Sequence, residues 1–213
     1  MIKRTKENER RITLCLLVTA LLGLLLLAGC GGGGSTNSLD DEVGRYNDYT
    51  YDVNGNLIMQ VSYTGAGTDG DWFTADDSIG NYTNYTFDAN NNLIREVSYY
   101  NAGADGVWFT ADDLVSSSYI TYVYDLNNRL AQRITYGNAG TDGVWLTGDD
   151  GVSGYDTTAY GTDNKLSQKT YYQAAGADGV WFTADDAMSF YLAYDNDANG
   201  NRTREVFYGS AAS

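Results

Sequence analysis

The sequence predicts an all-β protein in which repeated antiparallel β-hairpins form a curled sheet or a small barrel. Every tryptophan of the chain recurs at a spacing of 36 or 37 residues, at Trp72, Trp108, Trp145 and Trp181. Between them recur turn sequences rich in Asn, Asp and Gly, flanked by segments that alternate apolar and polar residues as strands do. No segment after residue 30 has sustained helical periodicity. We therefore expect about ten strands with a period of about 36 residues.

Residues 1–29 are predicted to be a lipoprotein signal peptide and not part of this fold. Basic residues precede a nearly unbroken apolar run over residues 12–27, which is the signal-peptide pattern. The run ends in Leu27-Ala28-Gly29-Cys30, which resembles a bacterial lipobox. That resemblance implies cleavage before Cys30 and attachment of acyl chains to it, enough for stable membrane anchoring. An uncleaved membrane helix is the alternative, but the run is shorter than the ~20 residues that a span usually needs.

A tether is predicted to connect the lipid anchor to the repeats. Residues 30–45 contain the lipidated cysteine and a glycine-rich stretch, which is typical of a flexible linker, and the repeat domain is expected over residues 46–213. In lipoproteins of double-membraned bacteria, an aspartate directly after the cysteine commonly signals retention at the inner membrane. Gly31 stands there in this chain, so the lipobox resemblance favours the outer membrane.

Five hairpins follow in order along the chain. The pairs at their centres are Asn54-Gly55, Asn90-Asn91, Asn127-Asn128, Asp163-Asn164 and Asn199-Gly200. Because Gly, Asn and Asp tolerate positive φ, these pairs predict two-residue type I′ turns. The fifth copy is degenerate and has Arg202 in place of the usual leucine, which is typical of a polar terminal repeat.

The first hairpin carries a motif of a known repeat. Residues 51–57 read Tyr-Asp-Val-Asn-Gly-Asn-Leu, which resembles the YD (RHS-type) repeat of large bacterial surface and toxin proteins. That resemblance implies hairpins that wind into a continuous curled antiparallel sheet. It covers about half of each 36-residue unit. The other copies lack one or more motif residues, and the acidic loops between the hairpins are additional to it.

The four acidic loops have the consensus Gly-x-Asp-Gly-x-Trp-Phe-Thr-Ala-Asp-Asp and allow two interpretations. In the structural one, Trp is a core anchor and Thr with the last Asp forms a capping box that starts one helical turn. In the other, the carboxylates and nearby carbonyls bind Ca²⁺, which takes six to eight oxygen ligands. The candidate ligands are Asp69, Asp76, Asp77, Asp105, Asp112, Asp113, Asp142, Asp149, Asp150, Asp178, Asp185 and Asp186.

Composition excludes several classes of function. The chain has no histidine, which excludes Ser-His-Asp triads and His-bearing zinc sites. Its formal net charge of −15 disfavours nucleic acid as a partner. Paired acids also suggest glycoside hydrolysis, but a catalytic pair normally occurs once whereas these repeat four times.

The expected function is therefore a non-enzymatic lipoprotein of the cell envelope, which acts as a structural or interaction module with a surface polysaccharide or an envelope protein as its partner. A carbohydrate- or surface-polymer-binding module that uses outward tyrosines, with or without calcium, is the main alternative. An envelope hydrolase that uses an aspartate pair is the third hypothesis, and it requires one loop to differ from the others.

Overall fold

The computed structural model describes residues 43–209, and these residues form one antiparallel sheet of ten strands. Strand order follows chain order, so each strand pairs with its sequence neighbours. No helix occurs in this range, and so none that could cross a membrane. The strands are β1 Tyr46–Tyr51, β2 Leu57–Gly65, β3 Ser78–Phe87, β4 Leu93–Asn101, β5 Leu114–Tyr124, β6 Leu130–Asn138, β7 Gly151–Tyr160, β8 Leu166–Ala174, β9 Ala187–Asn196 and β10 Arg202–Gly209.

The predicted all-β class and the number of strands are confirmed. Of the two predicted shapes, the sheet takes the curled, open one and does not close into a barrel. The signal peptide, Cys30 and most of the tether lie outside the described residues.

The hairpin turns differ from the predicted type I′. Each closes a three-residue loop: the N–H of Asp52 donates to the carbonyl of Asn56, and Gly55 N–H donates to the carbonyl of Asp52. Only the third loop residue has positive φ, as at Gly55 with φ 86° and Asn91 with φ 63°. This is a type I turn followed by a left-handed residue. The Asp52 carboxylate favours it because it accepts N–H bonds from Asn54 and Asn56 at 2.9 and 2.8 Å.

Neighbouring hairpins are joined by side-chain hydrogen bonds at this end of the sheet. The Asn56 amide donates to Asn91 Oδ1 at 2.9 Å, and the Asn92 amide donates to Asn128 Oδ1 at 2.5 Å. The guanidinium of Arg129 makes the equivalent bond to the next turn. The left-handed turn residue therefore also receives the bond from the preceding hairpin, which couples adjacent repeats.

The core lies on one face of the sheet, where tyrosines and branched apolar residues alternate across the strands. Even and odd strands meet in a repeated register, in which a small or branched residue opposes a tyrosine. The buried apolar side chains are Val61, Tyr82, Val97, Tyr119, Ile134 and Tyr155. No second sheet covers this face in the described chain, so the loops between the hairpins provide the second layer.

Candidate functional site

The four acidic loops all lie at one end of the sheet, because each connects an even strand to the next odd strand. The hairpin turns lie at the opposite end. Each loop folds back over the tyrosine pair of the hairpin that precedes it. In the second unit, Tyr82 stacks on Tyr99 with 4.5 Å between the ring centroids, and the edge of Trp108 meets Tyr82 at 5.9 Å.

The same aromatic arrangement recurs in each unit that has a loop. The stacked pairs are Tyr46–Tyr63, Tyr82–Tyr99, Tyr119–Tyr136 and Tyr155–Tyr172, and the tryptophan centroids lie 5.9–6.0 Å from the first tyrosine of each pair. Edge-to-face and offset-stacked contacts of this kind add about 0.5–1.5 kcal/mol per pair to the burial of apolar area. The expectation that Trp anchors the core agrees with this geometry.

The last aspartate of each loop is buried and joins the loop to the sheet. In the second unit, Asp113 accepts hydrogen bonds from the Tyr82 hydroxyl and from the Phe109 N–H, both at 2.7 Å. The equivalent carboxylates Asp77 and Asp186 accept the same two bonds at 2.6–2.7 Å. Burial and this carboxylate together raise the pKa of Tyr82 well above its ordinary value, since both disfavour the phenolate.

The exposed partner of each aspartate pair closes the loop on itself. Asp112 accepts bonds from the N–H groups of Ala104 and Asp105 at 2.7 and 3.1 Å, and from the Thr110 hydroxyl at 2.7 Å. The Thr110 hydroxyl and these N–H groups hold the pKa of Asp112 below its ordinary range, because they stabilise the carboxylate. The pKa values of Asp76, Asp149 and Asp185 are lowered in the same way.

The predicted capping box is only partly formed. In the first loop, Asp77 accepts a bond from the Thr74 N–H at 3.2 Å, as the capping acid would. The segment forms turns and no helical turn, so that prediction is wrong. The backbone instead reverses at the residue after tryptophan, which has φ of 69–71° in all four loops, at Phe73, Phe109, Leu146 and Phe182. The bond from its N–H to the buried aspartate holds this unfavourable conformation.

In the first loop, the predicted calcium ligands Asp69, Asp76 and Asp77 each place a carboxylate oxygen within 3.5 Å of the Thr74 hydroxyl, which lies nearest to Asp76 Oδ1, at 2.8 Å. The first aspartate of the loop also accepts a protein hydrogen bond. In the second loop, Asp105 accepts the N–H of Val107 at 2.7 Å. In residues 43–209, no three acidic side chains lie close enough to hold a metal ion. Loop carboxylates such as Asp112 and Asp113 accept hydrogen bonds from protein N–H and hydroxyl groups, and a calcium ion with its six to eight oxygen ligands would have to displace those donors. The calcium hypothesis stays a prediction until the cation is added.

One charged cluster breaks the repeat on the opposite face of the sheet. Asp156 in β7 is 3% exposed and occupies the position that Ile120 takes in β5. Lys169 Nζ lies 3.0 Å from it and an Arg133 nitrogen lies 3.7 Å away, from the two flanking strands. Although burial alone lowers the pKa of Lys169, its bond to Asp156 raises the pKa above the ordinary value. The repeat pattern does not predict this cluster, and its only signal in the sequence is that Asp156 stands where β5 has Ile120.

No protein-family model and no curated protein matches the chain. Among solved structures, a Bacteroides fragilis protein of unknown function is 14% identical over 68% of this chain and 91% of that one, with a TM-score of 0.40. The Photorhabdus luminescens Tc holotoxin pore is 15% identical over 78% of this chain and 8% of that one, with a TM-score of 0.39. A DUF3836 family protein from Bacteroides vulgatus has 12% identity, coverage of 68% and 91%, and a TM-score of 0.23. Likenesses this distant carry no inference about function.

Proposed function

We propose that this chain is a non-enzymatic lipoprotein of the bacterial cell envelope, whose β-repeat domain presents a rigid interaction surface. The observation that carries the proposal is that the loop aspartates accept hydrogen bonds from the protein's own backbone. All four loops have the same hydrogen bond from the N–H after tryptophan to the buried aspartate, at 2.7 Å. The acids that resemble a catalytic set are thus bound to the scaffold in every unit.

The chemistry of the exposed loop acids supports the same proposal. A general acid at neutral pH needs a carboxyl with a raised pKa. The pKa values of Asp76, Asp112, Asp149 and Asp185 are all lowered. These carboxyls are therefore ionised at neutral pH and lack the proton that a general acid donates. They already accept hydrogen bonds from hydroxyl and N–H groups of the loop, as structural carboxylates do.

Anchoring at the membrane is the part of the proposal that can be tested with a matched pair of cysteines. In cells grown with a labelled fatty acid, the wild-type chain and a Cys15→Ala variant are expected to be labelled and to sediment with membranes. A Cys30→Ala variant is expected to lose both properties, because Cys30 is the acylated residue of the lipobox. Labelling that survives in Cys30→Ala, or that is absent from the wild type, would overturn the proposed anchor.

Binding of a surface polymer is a second candidate, and a row of exposed residues favours it. Phe73, Phe109, Leu146 and Phe182 are 36–62% exposed, and each is held at positive φ by a buried carboxylate. Such strain costs about 1–3 kcal/mol per residue and is typical of ligand-binding positions. The loops follow every second strand, so the row has a spacing of about 10 Å. A polymer with a repeating ring could stack along it.

A glycan array with the full chain distinguishes the two candidates. A polymer-binding module is expected to bind a small set of repeating glycans, and Phe73→Ala with Phe109→Ala and Phe182→Ala is expected to abolish that signal. Val53 and Leu126 are fully exposed apolar residues at the opposite end of the sheet, so their replacement by alanine is the matched control. Absence of any glycan signal, or equal loss in the control, would exclude this candidate and leave a protein partner.

A further inference from the structure

The two edge strands of the sheet carry complementary halves of an interface that recurs inside it. Within residues 43–209, β1 pairs only with β2 and β10 pairs only with β9. Each edge therefore presents a row of unpaired backbone N–H and C=O groups, which is a template for another strand. The internal pairs of even and odd strands show which residues such a strand would place opposite each edge.

Each even strand meets the following odd strand in one register. A small or branched residue opposes a tyrosine in every copy, at Val61–Tyr82, Val97–Tyr119, Ile134–Tyr155 and Thr170–Tyr191. The members of the first three pairs are all buried, with 3–8% exposure. The residues at the equivalent positions of the open edges are Val206 in β10 and Tyr46 in β1. Both are only half-buried. In residues 43–209, no odd strand lies beside the outer edge of β10, and no even strand lies beside the outer edge of β1.

We propose that β10 of one copy pairs antiparallel with β1 of a second copy in this register, so that the sheet continues from one molecule to the next. Aligning β10 with β8 and β1 with β9 places Val206 opposite Tyr46 of the second copy. The same alignment places Tyr208 opposite Val43, where internal copies have Tyr172 opposite Met188. Apolar residues thus meet apolar residues at both positions.

Charge complementarity fixes the same register. The alignment places Arg204 directly opposite Asp48 of the second copy, at the position where Gln168 opposes Ala193 in β8 and β9. In the described part of the chain, Asp48 has no ion pair and Arg204 has one, with the exposed Asp195. Opposite charges that face each other across an antiparallel pair stabilise it, and like charges destabilise it. A shift by one residue would send these side chains to opposite faces of the sheet.

The interface joins two different surfaces, so it is heterologous, and successive copies add head to tail into an open chain or, where the rotation between copies closes, a ring. It therefore predicts head-to-tail association that increases with protein concentration. On a lipid-anchored protein the local concentration is high, and rows of domains would then present their loop ends in one continuous line. The proposal stands independently of the proposed function, because it depends only on the two edges.

A charge exchange tests the proposal with the full chain in detergent. Sedimentation velocity of the wild type is expected to show association that increases with concentration. Arg204→Asp and Asp48→Arg should each weaken it by on the order of tenfold or more, because like charges then face each other. The variant that carries both changes should regain it. Arg202→Asp, on the same strand but beyond the predicted pairing, is the matched control.

Cysteine pairing tests the register even if a charge variant folds poorly. A mixture of Asp48→Cys and Arg204→Cys chains should form disulfide-linked dimers, because paired Cα atoms lie about 4.5–5.5 Å apart across antiparallel strands. Asn47→Cys mixed with Arg204→Cys should not exceed the background of the wild-type cysteines. A chain that stays monomeric without cross-links, or that cross-links equally through Asn47, would overturn the proposal.

Discussion

Removing one tyrosine hydroxyl tests how the acidic loops are held. The Tyr82 hydroxyl donates to Asp113 at 2.7 Å, and both residues are buried, with 3% and 6% exposure. Tyr82→Phe keeps the ring stacked on Tyr99 and under Trp108. It removes only the hydroxyl, so the buried carboxylate is left with the Phe109 N–H as its close donor.

The expected loss follows from the type of bond removed. A hydrogen bond to a charged group contributes about 1.5–3 kcal/mol, and a buried group that loses its partner costs about 1–3 kcal/mol. We therefore expect Tyr82→Phe to lower the free energy of unfolding by about 2 kcal/mol. For a domain of this size, each kcal/mol shifts the melting temperature by about 2–4 °C, so a decrease of about 4–8 °C is expected.

The fifth hairpin supplies the matched control. Tyr191 stacks on Tyr208 at 4.5 Å as in the other units, but no acidic loop follows it in the described residues. Tyr191→Phe should therefore change the melting temperature by less than about 1 °C, because no hydrogen bond to a carboxylate is lost. Both variants are measured by thermal unfolding followed by circular dichroism. Equal shifts in Tyr82→Phe and Tyr191→Phe would refute the role assigned to the buried aspartate.

Two further perturbations address the loops and turns together. Gly103 and Gly106 have φ of 66° and 67°, but a Cβ on Gly103 would overlap Asp112 whereas one on Gly106 meets open space. Gly106→Ala should lower the free energy of unfolding by about 1–2 kcal/mol through backbone strain alone, and Gly103→Ala should lower it by about 1–3 kcal/mol more through the overlap with Asp112. Both free energies are measured by chemical denaturation, and equal losses would contradict the described packing. Acid should destabilise the fold, because hydrogen bonds lower the folded-state pKa of eight carboxyls. Stability is then complete above the unfolded-state pKa of about 3.9 and is lost as pH falls through the lower folded values. A melting temperature that rises below about pH 4 would instead show that relief of net negative charge dominates. The eight are Asp52, Asp76, Asp88, Asp112, Asp125, Asp149, Asp185 and Asp197.

The repeat made the strands predictable, and local hydrogen bonding decided what the pattern could not. Alternation around Leu57 or Leu130 places side chains on two faces, and that is sufficient to find strands. It does not distinguish a type I′ turn from a three-residue loop, because asparagine and glycine suit both. The carboxylate of Asp52 supports the three-residue loop by accepting two backbone N–H bonds, but the fourth hairpin forms the same loop with Gly161 at that position, so the backbone hydrogen bonds and the left-handed third residue are what all five loops share.

The loop shows a similar limit of sequence reasoning. The spacing of Trp108 and Asp113 is visible in the sequence, but positive φ at Phe109 is not expected of a bulky residue. It exists because a buried carboxylate binds its N–H, and that carboxylate is placed by a tyrosine 31 residues earlier. The constant separation of 31 residues between Tyr82 and Asp113 was the available signal, since it recurs in all four units.

The central prediction is that scaffold hydrogen bonds, and not a cation, occupy the loop carboxylates. A crystal structure of the full chain grown with millimolar calcium tests it most directly. We predict that Phe73 N–H and the Tyr46 hydroxyl still donate to Asp77 at about 2.7 Å, as in the described loop. No cation density is then expected among Asp69, Asp76 and Asp77. A calcium ion bound by those three carboxylates, with the tyrosine bond broken, would contradict the prediction.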